Sequence, residues 1–272
     1  MAAIGERQLH IMEHGLASRG PIVMDWDELK KVEERLKEDP ENFCLWVARG
    51  ILYFNEDFEK SIESLSMALS YNPFNADQYY NRGRKFLSQD RFVQALSDFI
   101  LATRLDDKDA WKWHFQGVAY FYLDRYNEAI ASFYKAIACH VKNDTHNIPP
   151  EVDWIWMSWM RLGNREEAAN CLKLVTKETE VERGDLMYKK RVLLYKGELS
   201  LEEFDSTVER DVSKRGITEL YGAAAYCHYV LGDDKQAVKY LDEVLAYPTE
   251  HHAFGYKMAL VEREQWGKNI GE

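Results

Sequence analysis

The chain has 272 residues, of which 46% are hydrophobic and 13% aromatic, so it can bury a substantial core and is not expected to be disordered. Six prolines and fifteen glycines are few for this length and disfavour a turn-rich β architecture, whereas stretches rich in Glu, Lys, Leu and Ala favour helices. The formal net charge of −11 argues against nucleic acid or an anionic membrane as the partner, although it leaves room for a local basic patch.

Residues 1–40 are predicted to form N-terminal helices that cap the fold. Residues 1–20 are expected to form a loosely attached helix. Residues 25–37 have the pattern of an amphipathic helix, with one apolar face made of Trp26, Leu29, Val32 and Leu36. The start of the chain lacks the apolar run of a signal peptide, and no stretch approaches the length of a membrane span. We therefore expect a cytoplasmic protein, although a targeting segment already removed would leave no trace.

Residues 41–140 contain three copies of a 34-residue repeat. Four positions recur three times each at this spacing, and only the first copy is one residue short, in its turn at residues 55–57. The recurring sets are Phe58, Phe92 and Tyr126; Ser61, Ala95 and Ala129; Leu65, Phe99 and Phe133; and Ala68, Ala102 and Ala136.

The first half of each copy carries a second pattern, in which a large residue is followed by a small residue and then by an aromatic one. The copies read Trp46-x2-Arg49-Gly50-x2-Tyr53, Tyr79-x2-Arg82-Gly83-x2-Phe86 and Trp113-x2-Gln116-Gly117-x2-Tyr120. This arrangement resembles the tetratricopeptide repeat, a hairpin of two helices. The glycines and alanines are expected to let the paired helices approach closely.

The resemblance weakens after residue 140. Residues 141–248 are predicted to form three degenerate hairpins, with turns at Gly163, Gly197 and Gly232, and residues 249–272 a C-terminal capping helix and tail. The predicted fold is therefore all-α, a right-handed α-solenoid of about six tetratricopeptide-like hairpins with terminal capping helices.

The later half also resembles the NlpI-type repeat proteins, which are dimeric bacterial lipoprotein adaptors that dock proteases and cell-wall hydrolases. The likeness rests on residues 194–200, on residues 229–233 and on the closing helix with Tyr256 and Ala259. This chain lacks the lipid-attachment cysteine of that group, so membrane anchoring does not carry over.

A ligand of such a solenoid is expected on the concave face, which the first helix of each hairpin lines. The third hairpin and the helix after it carry more aromatic residues than one packing face needs, including three tryptophans between residues 154 and 159. Two explanations stay open, a closed aromatic core or a groove for an apolar or helical segment of a partner. The candidate partner-binding residues are Asn81, Arg84, Trp111, His114, Phe115, Val118, Tyr122 and Trp154.

Chemistry other than binding finds no support in the residue patterns. The histidines, including the pairs at 10 and 14, 140 and 146, and 251 and 252, lack further ligands at metal-binding spacing. The four cysteines are widely spaced in apolar helical contexts and are predicted to be inert core residues, with a disulfide or zinc site as the alternative. We predict no metal, no cofactor and no catalytic residue, so the chain is not expected to be an enzyme.

The carboxylate clamp of chaperone-binding repeat domains is also argued against, because only Asn81 survives at the positions that resemble it. The functional hypothesis is an adaptor or scaffold that binds a peptide or helix of another protein. The alternative is a structural subunit or a self-associating, homodimeric scaffold. Neither hypothesis involves nucleic acid or a membrane.

Overall fold

The computed structural model describes residues 25–145, 147–210, 214–247 and 253–271. These residues form fourteen α-helices and, within those ranges, no β-strand. The predicted class, an all-α solenoid of helical hairpins, is confirmed. The chain divides into two compact units, Met1–Ala136 and Ile137–Glu272. The helix predicted within residues 1–20 lies outside the described residues.

Seven helices build the described part of the first unit, residues 25–136, and the last of them continues past its end. A side-chain oxygen of Asp25, Asn42, Asp57, Asn75 or Asp109 accepts a backbone N–H in the first turn of five of them and so fixes where each begins. The helices are α1 (Trp26–Glu38), α2 (Phe43–Leu52), α3 (Phe58–Tyr71), α4 (Ala76–Ser88), α5 (Phe92–Leu105), α6 (Ala110–Tyr122) and α7 (Tyr126–Lys142).

The 34-residue spacing corresponds to one contact repeated in three hairpins. A Cβ built on Gly50 would lie 2.8 Å from Leu65, one on Gly83 would lie 2.8 Å from Phe99, and one on Gly117 would lie 2.7 Å from Phe133. Because these distances are shorter than real Cβ contacts, the second helix presses directly on the backbone of the first. The predicted role of the glycines is confirmed.

The cap differs from expectation in one residue. Leu29, Val32 and Leu36 of α1 are buried as predicted, and Val32 and Leu36 pack with Leu45 of α2. Trp26, which was expected to share their face, is exposed. It is the first residue of the helix.

The second unit contains the remaining hairpins and the C-terminal helix. Gly163, Gly197 and Gly232 each adopt a positive φ in the predicted turns. A π-helical turn, Cys227–Leu231, extends the first helix of the last hairpin. The helices are α8 (Ile148–Arg161), α9 (Arg165–Cys171), α10 (Leu186–Tyr195), α11 (Leu201–Ser206), α12 (Lys214–Tyr226), α13 (Asp234–Leu245) and α14 (Phe254–Lys268).

The cysteine prediction is only partly correct. Cys171 and Cys227 are buried, Cys139 is half-buried, and none of the four cysteines forms a disulfide. Cys44 is exposed on α2, because its position in the repeat turns away from the apolar stripe that holds Leu45. The expectation that every cysteine is a core residue is therefore wrong for Cys44.

Candidate partner-binding site

Seven of the eight predicted site residues lie in the first unit, on α4 and α6. We call the surface formed by the first helices of its hairpins, α2, α4 and α6, the first-helix face. Asn75 caps α4 through the backbone N–H of Gln78 at 3.1 Å, and Asp109 caps α6 through that of Trp111 at 2.8 Å. Since both helices begin at equivalent repeat positions, their exposed residues fall in register.

Arg84 lies at the centre of this face, surrounded by aromatic rings. Its guanidinium carbon is 5.0 Å from the ring centre of Phe54, and 5.5 Å from those of Tyr80 and Phe115. We call these four residues the Arg84 cage. The rings come from three successive hairpins, and Tyr80 and Phe115 meet edge to face at 5.6 Å. Cation–π attraction and ring packing together hold the cage in place.

The predicted residues of α6 divide into a partly exposed set and a buried set. Trp111, Phe115 and Tyr122 are partly exposed, whereas His114 and Val118 are buried. His114 contacts Trp111 and Phe115, with ring centres 5.4 Å and 5.1 Å apart, and so supports both rings from behind. Tyr122 stacks on another aromatic ring, that of Phe92 in α5, at 4.7 Å.

Asn81 is also beneath the surface. Its side-chain amide donates to Gln78 at 3.3 Å, and its carbonyl oxygen is buried with no hydrogen-bond partner among the described residues. Asn81 and His114 were predicted to bind a partner directly. Asn81, His114 and Val118 are instead buried beneath the partly exposed side chains of the face.

A charged cluster borders the cage. The Nζ of Lys112 lies 2.8 Å from a carboxylate oxygen of Asp77, 3.0 Å from Asp106 and 2.7 Å from Asp109. Burial opposes the charge of Lys112, but Asp109 and Asp77 together raise its pKa above the usual range. Three carboxylates around one ammonium leave this border acidic.

Trp154, the eighth predicted residue, lies in the core of the second unit. It is 2% exposed, and its ring meets Phe254 of α14 edge to face at 5.8 Å. Helix α14 contacts α8 at a second point, where the Arg161 side chain donates a hydrogen bond to Glu262. In this arrangement the indole of Trp154 presents no free surface to a partner.

Two more large residues of α8 are also core residues, whereas Trp159 is partly exposed. Trp156 and Met157 are buried, and Trp156 stacks on Tyr195 of α10 at 3.8 Å. Of the two explanations left open by the sequence, a closed core describes these residues of α8. The partly exposed aromatics of α6, by contrast, stay available.

Phe54 of the cage and Lys112 of the charged cluster were not predicted from the sequence. Phe54 follows α2 and reaches Arg84 only because the hairpins stack. The residues around Phe54 in the sequence therefore do not indicate this contact. Lys112 lies between two tryptophans and would ordinarily be placed in solvent. Its i,i+3 spacing from Asp109 was the signal that could have indicated an ion pair. Among the described residues no group of three or more His, Cys, Asp or Glu side chains could hold a metal ion.

A comparison with known protein families agrees with the repeat sequence and with the hairpin geometry described above. The tetratricopeptide repeat model matches residues 113–138, which cover most of α6 and much of α7. The chain carries a tetratricopeptide repeat at these residues. Tetratricopeptide repeat protein 28 of Mus musculus and that of Homo sapiens are each 34% identical to it over 82 residues, or 30% of this chain. The match spans only 3% of either relative.

Solved structures share the repeat fold at low sequence identity. The apo form of the quorum sensor NprR from B. thuringiensis is 16% identical, with a TM-score of 0.54 over 95% of this chain and 80% of that one. The Cut9-Hcn1 hetero-tetramer of APC/C is 18% identical, with a TM-score of 0.53 over 86% of this chain and 46% of that chain. MamA is 22% identical, with a TM-score of 0.50 over 53% of this chain and 82% of that chain. At these identities the likeness concerns the fold. None of the described helices is both long and apolar enough to cross a membrane.

Proposed function

We propose that this protein is an adaptor that binds a peptide or helical segment of another protein on the first-helix face of its first unit. The observation that carries the proposal is the partly exposed aromatic surface of Trp111 and Phe115 beside Arg84. Tryptophan and arginine are the residue types that most often dominate protein interfaces. Binding of this kind needs no cofactor.

The repeat itself does not account for this surface. The positions equivalent to Trp111 hold Asp77 and Cys44 in the two preceding hairpins, and those equivalent to Phe115 hold Asn81 and Ala48. Small or polar side chains therefore suffice for hairpin packing there. Two large aromatics at these positions are explained better by contact with a partner.

The test is affinity capture from native cell extract by the full chain. We expect Trp111→Ala combined with Phe115→Ala to weaken capture of specific partners at least about tenfold, since one interface anchor contributes about 2 kcal/mol or more. The matched control combines Phe74→Ala with Tyr134→Ala, two exposed aromatics outside the first-helix face. Equal recovery of the same partners by both double variants would contradict the proposal.

Self-association is a second candidate, and one observation favours it. Leu260 and Val261 are adjacent and exposed on α14, where a second copy of the chain could cover them. Sedimentation of the full chain over a range of concentrations tests this candidate. A mass that rises with concentration and falls back in Val261→Glu supports it, and a monomer at every concentration removes it.

A further inference from the structure

Arg84 is a partly exposed cation that has no carboxylate partner among the described residues. Its guanidinium contacts the three rings of the cage, and no hydrogen bond or ion pair of its side chain occurs in that part of the chain. Cation–π contact does not use the N–H groups of a guanidinium as donors to oxygen acceptors, so these groups stay available for a hydrogen bond. These donors are suited to a planar, charged acceptor.

Other arginines of the same hairpins have acidic partners. Arg82, two residues away, donates to both carboxylate oxygens of Asp98 at 2.8 Å and 2.7 Å. Arg49 of the preceding hairpin contacts Glu33 at 3.2 Å and Glu63 at 3.1 Å. The fold therefore supplies carboxylates where an arginine serves packing between helices. Arg84 has no such carboxylate among the described residues.

The repeat does not require a cation at this position. The equivalent residues in the hairpins before and after are Ile51 and Val118, both buried and apolar. The rings of the cage explain how this arginine is held, but the apolar pattern of the repeat does not explain why the position carries a charge.

The acidic border restricts where an anion could bind. Tyr80 separates the two charges, with its ring centre 5.5 Å from the guanidinium of Arg84 and 5.9 Å from the Nζ of Lys112. Three carboxylates surround the Lys112 ammonium, so the cluster as a whole carries excess negative charge and repels a further anion at its side. A single carboxylate at Arg84 is compatible with this field, and a more highly charged phosphate is less so.

We propose that Arg84 receives the side-chain carboxylate of an Asp or Glu in the bound protein segment, while apolar residues of that segment contact Phe115 and Trp111. This inference rests on the proposed function and specifies the chemistry of the partner. The segment is therefore apolar with one acidic residue at a fixed distance from its anchor. The carboxylate of the bound segment neutralises the charge of Arg84, which has no carboxylate partner among the described residues.

The experiment is selection from a phage-displayed library of random short peptides on the full chain. The wild type is expected to enrich peptides with Asp or Glu at a fixed spacing from an aromatic or aliphatic residue. Arg84→Gln is expected to lose that preference, and Arg84→Glu to replace it by Lys or Arg. For one selected peptide, calorimetric titration should show Kd roughly tenfold to a hundredfold weaker in Arg84→Gln, the range expected for a charged hydrogen bond.

Arg104→Gln is the matched control. Arg104 is an exposed arginine of α5, and this substitution removes the same charge as Arg84→Gln. Its Kd should equal that of the wild type, and circular dichroism should show every variant folded. If selected peptides lose binding in Trp111→Ala but carry no acidic preference, or bind Arg84→Gln as tightly as wild type, the inference is overturned and the adaptor proposal stands. If no peptide is enriched, or if binding survives loss of both Trp111 and Phe115, both are overturned.

Discussion

The substitution Lys112→Met removes the charge that joins two neighbouring hairpins. The Lys112 side chain is 2% exposed, and its Nζ contacts Asp77 of α4 together with Asp106 and Asp109, which precede α6. Methionine retains most of the apolar stem and its packing. The variant therefore isolates the ammonium and leaves three clustered carboxylates without it.

The expected cost lies between the values for buried and exposed pairs. Removing one partner of a fully buried pair costs about 3–5 kcal/mol, and an exposed pair contributes about 0–1 kcal/mol. The cation is buried, but the Asp77, Asp106 and Asp109 side chains are 32%, 39% and 34% exposed, so water screens part of their repulsion. We expect the free energy of unfolding at pH 7 to fall by about 2–3 kcal/mol.

The cost should depend on pH in one direction. Burial opposes ionisation of Asp106, but the hydrogen bond and charge of Lys112 outweigh it and lower its pKa. A carboxylate with a lowered pKa stabilises the fold above its unfolded pKa and loses that contribution as pH falls through its folded pKa. The raised pKa of Lys112 keeps its own contribution intact at neutral pH, to be lost only in strong alkali. The difference between wild type and variant should therefore shrink below about pH 4.

Urea unfolding of the full chain, followed by far-ultraviolet circular dichroism at neutral and at acidic pH, measures this difference. Lys135→Met removes an exposed lysine of α7 and should change stability by less than about 0.5 kcal/mol. A loss below about 0.5 kcal/mol for Lys112→Met at pH 7, or a loss that is the same at both pH values, would refute the reasoning.

Three further perturbations follow from packing. Gly117→Ala should cost about 1–3 kcal/mol, since the new methyl would lie 2.7 Å from the buried ring of Phe133. Trp154→Ala should cost about 3–5 kcal/mol by leaving a cavity in the second unit; urea unfolding measures both. Burial raises the pKa of the Cys171 thiol to about 12, so alkylation of the native protein at mildly alkaline pH, read by mass spectrometry, should modify Cys44 and spare Cys171 until urea is added.

Matched controls make these outcomes decisive. A Cβ on Gly267 meets nothing within 4 Å, so Gly267→Ala should be neutral or stabilise α14 by up to about 1 kcal/mol. Trp26 is exposed, and Trp26→Ala should change stability by less than about 0.5 kcal/mol. A cost for Gly267→Ala equal to that of Gly117→Ala, or equal costs for the two tryptophans, would contradict the packing described above. So would alkylation of native Cys171 as fast as that of Cys44.

The repeat could be predicted because each of its contacts recurs at one fixed spacing. Gly83 and Phe99 are close in the structure for the same reason that Gly117 and Phe133 are, and one packing rule accounts for both. Periodicity also predicted that Arg84 and Phe115 are on the same face. It could not predict how deeply each side chain lies, and Asn81 proved to be buried.

Contacts between distant hairpins were not accessible from the sequence. Trp154 is covered by Phe254, a hundred residues later, and only the packing of α8 with α14 brings the two together. Phe54 reaches Arg84 in the same way, from the preceding hairpin. Such contacts depend on how each helix is placed in its unit, which a local pattern of apolar residues does not encode. The resemblance of the later half to NlpI-type proteins stays a sequence-based prediction, as does a cytoplasmic location.

Hydrogen–deuterium exchange of the full chain, with and without a peptide selected on it, tests the central claim that the first-helix face binds a partner segment. The amides of α4 and α6 should exchange more slowly when the peptide is bound, and this protection should disappear in the Trp111→Ala, Phe115→Ala double variant. Protection confined to α3 and α5, the second helices of the same hairpins, or protection that persists in the double variant, would contradict the account.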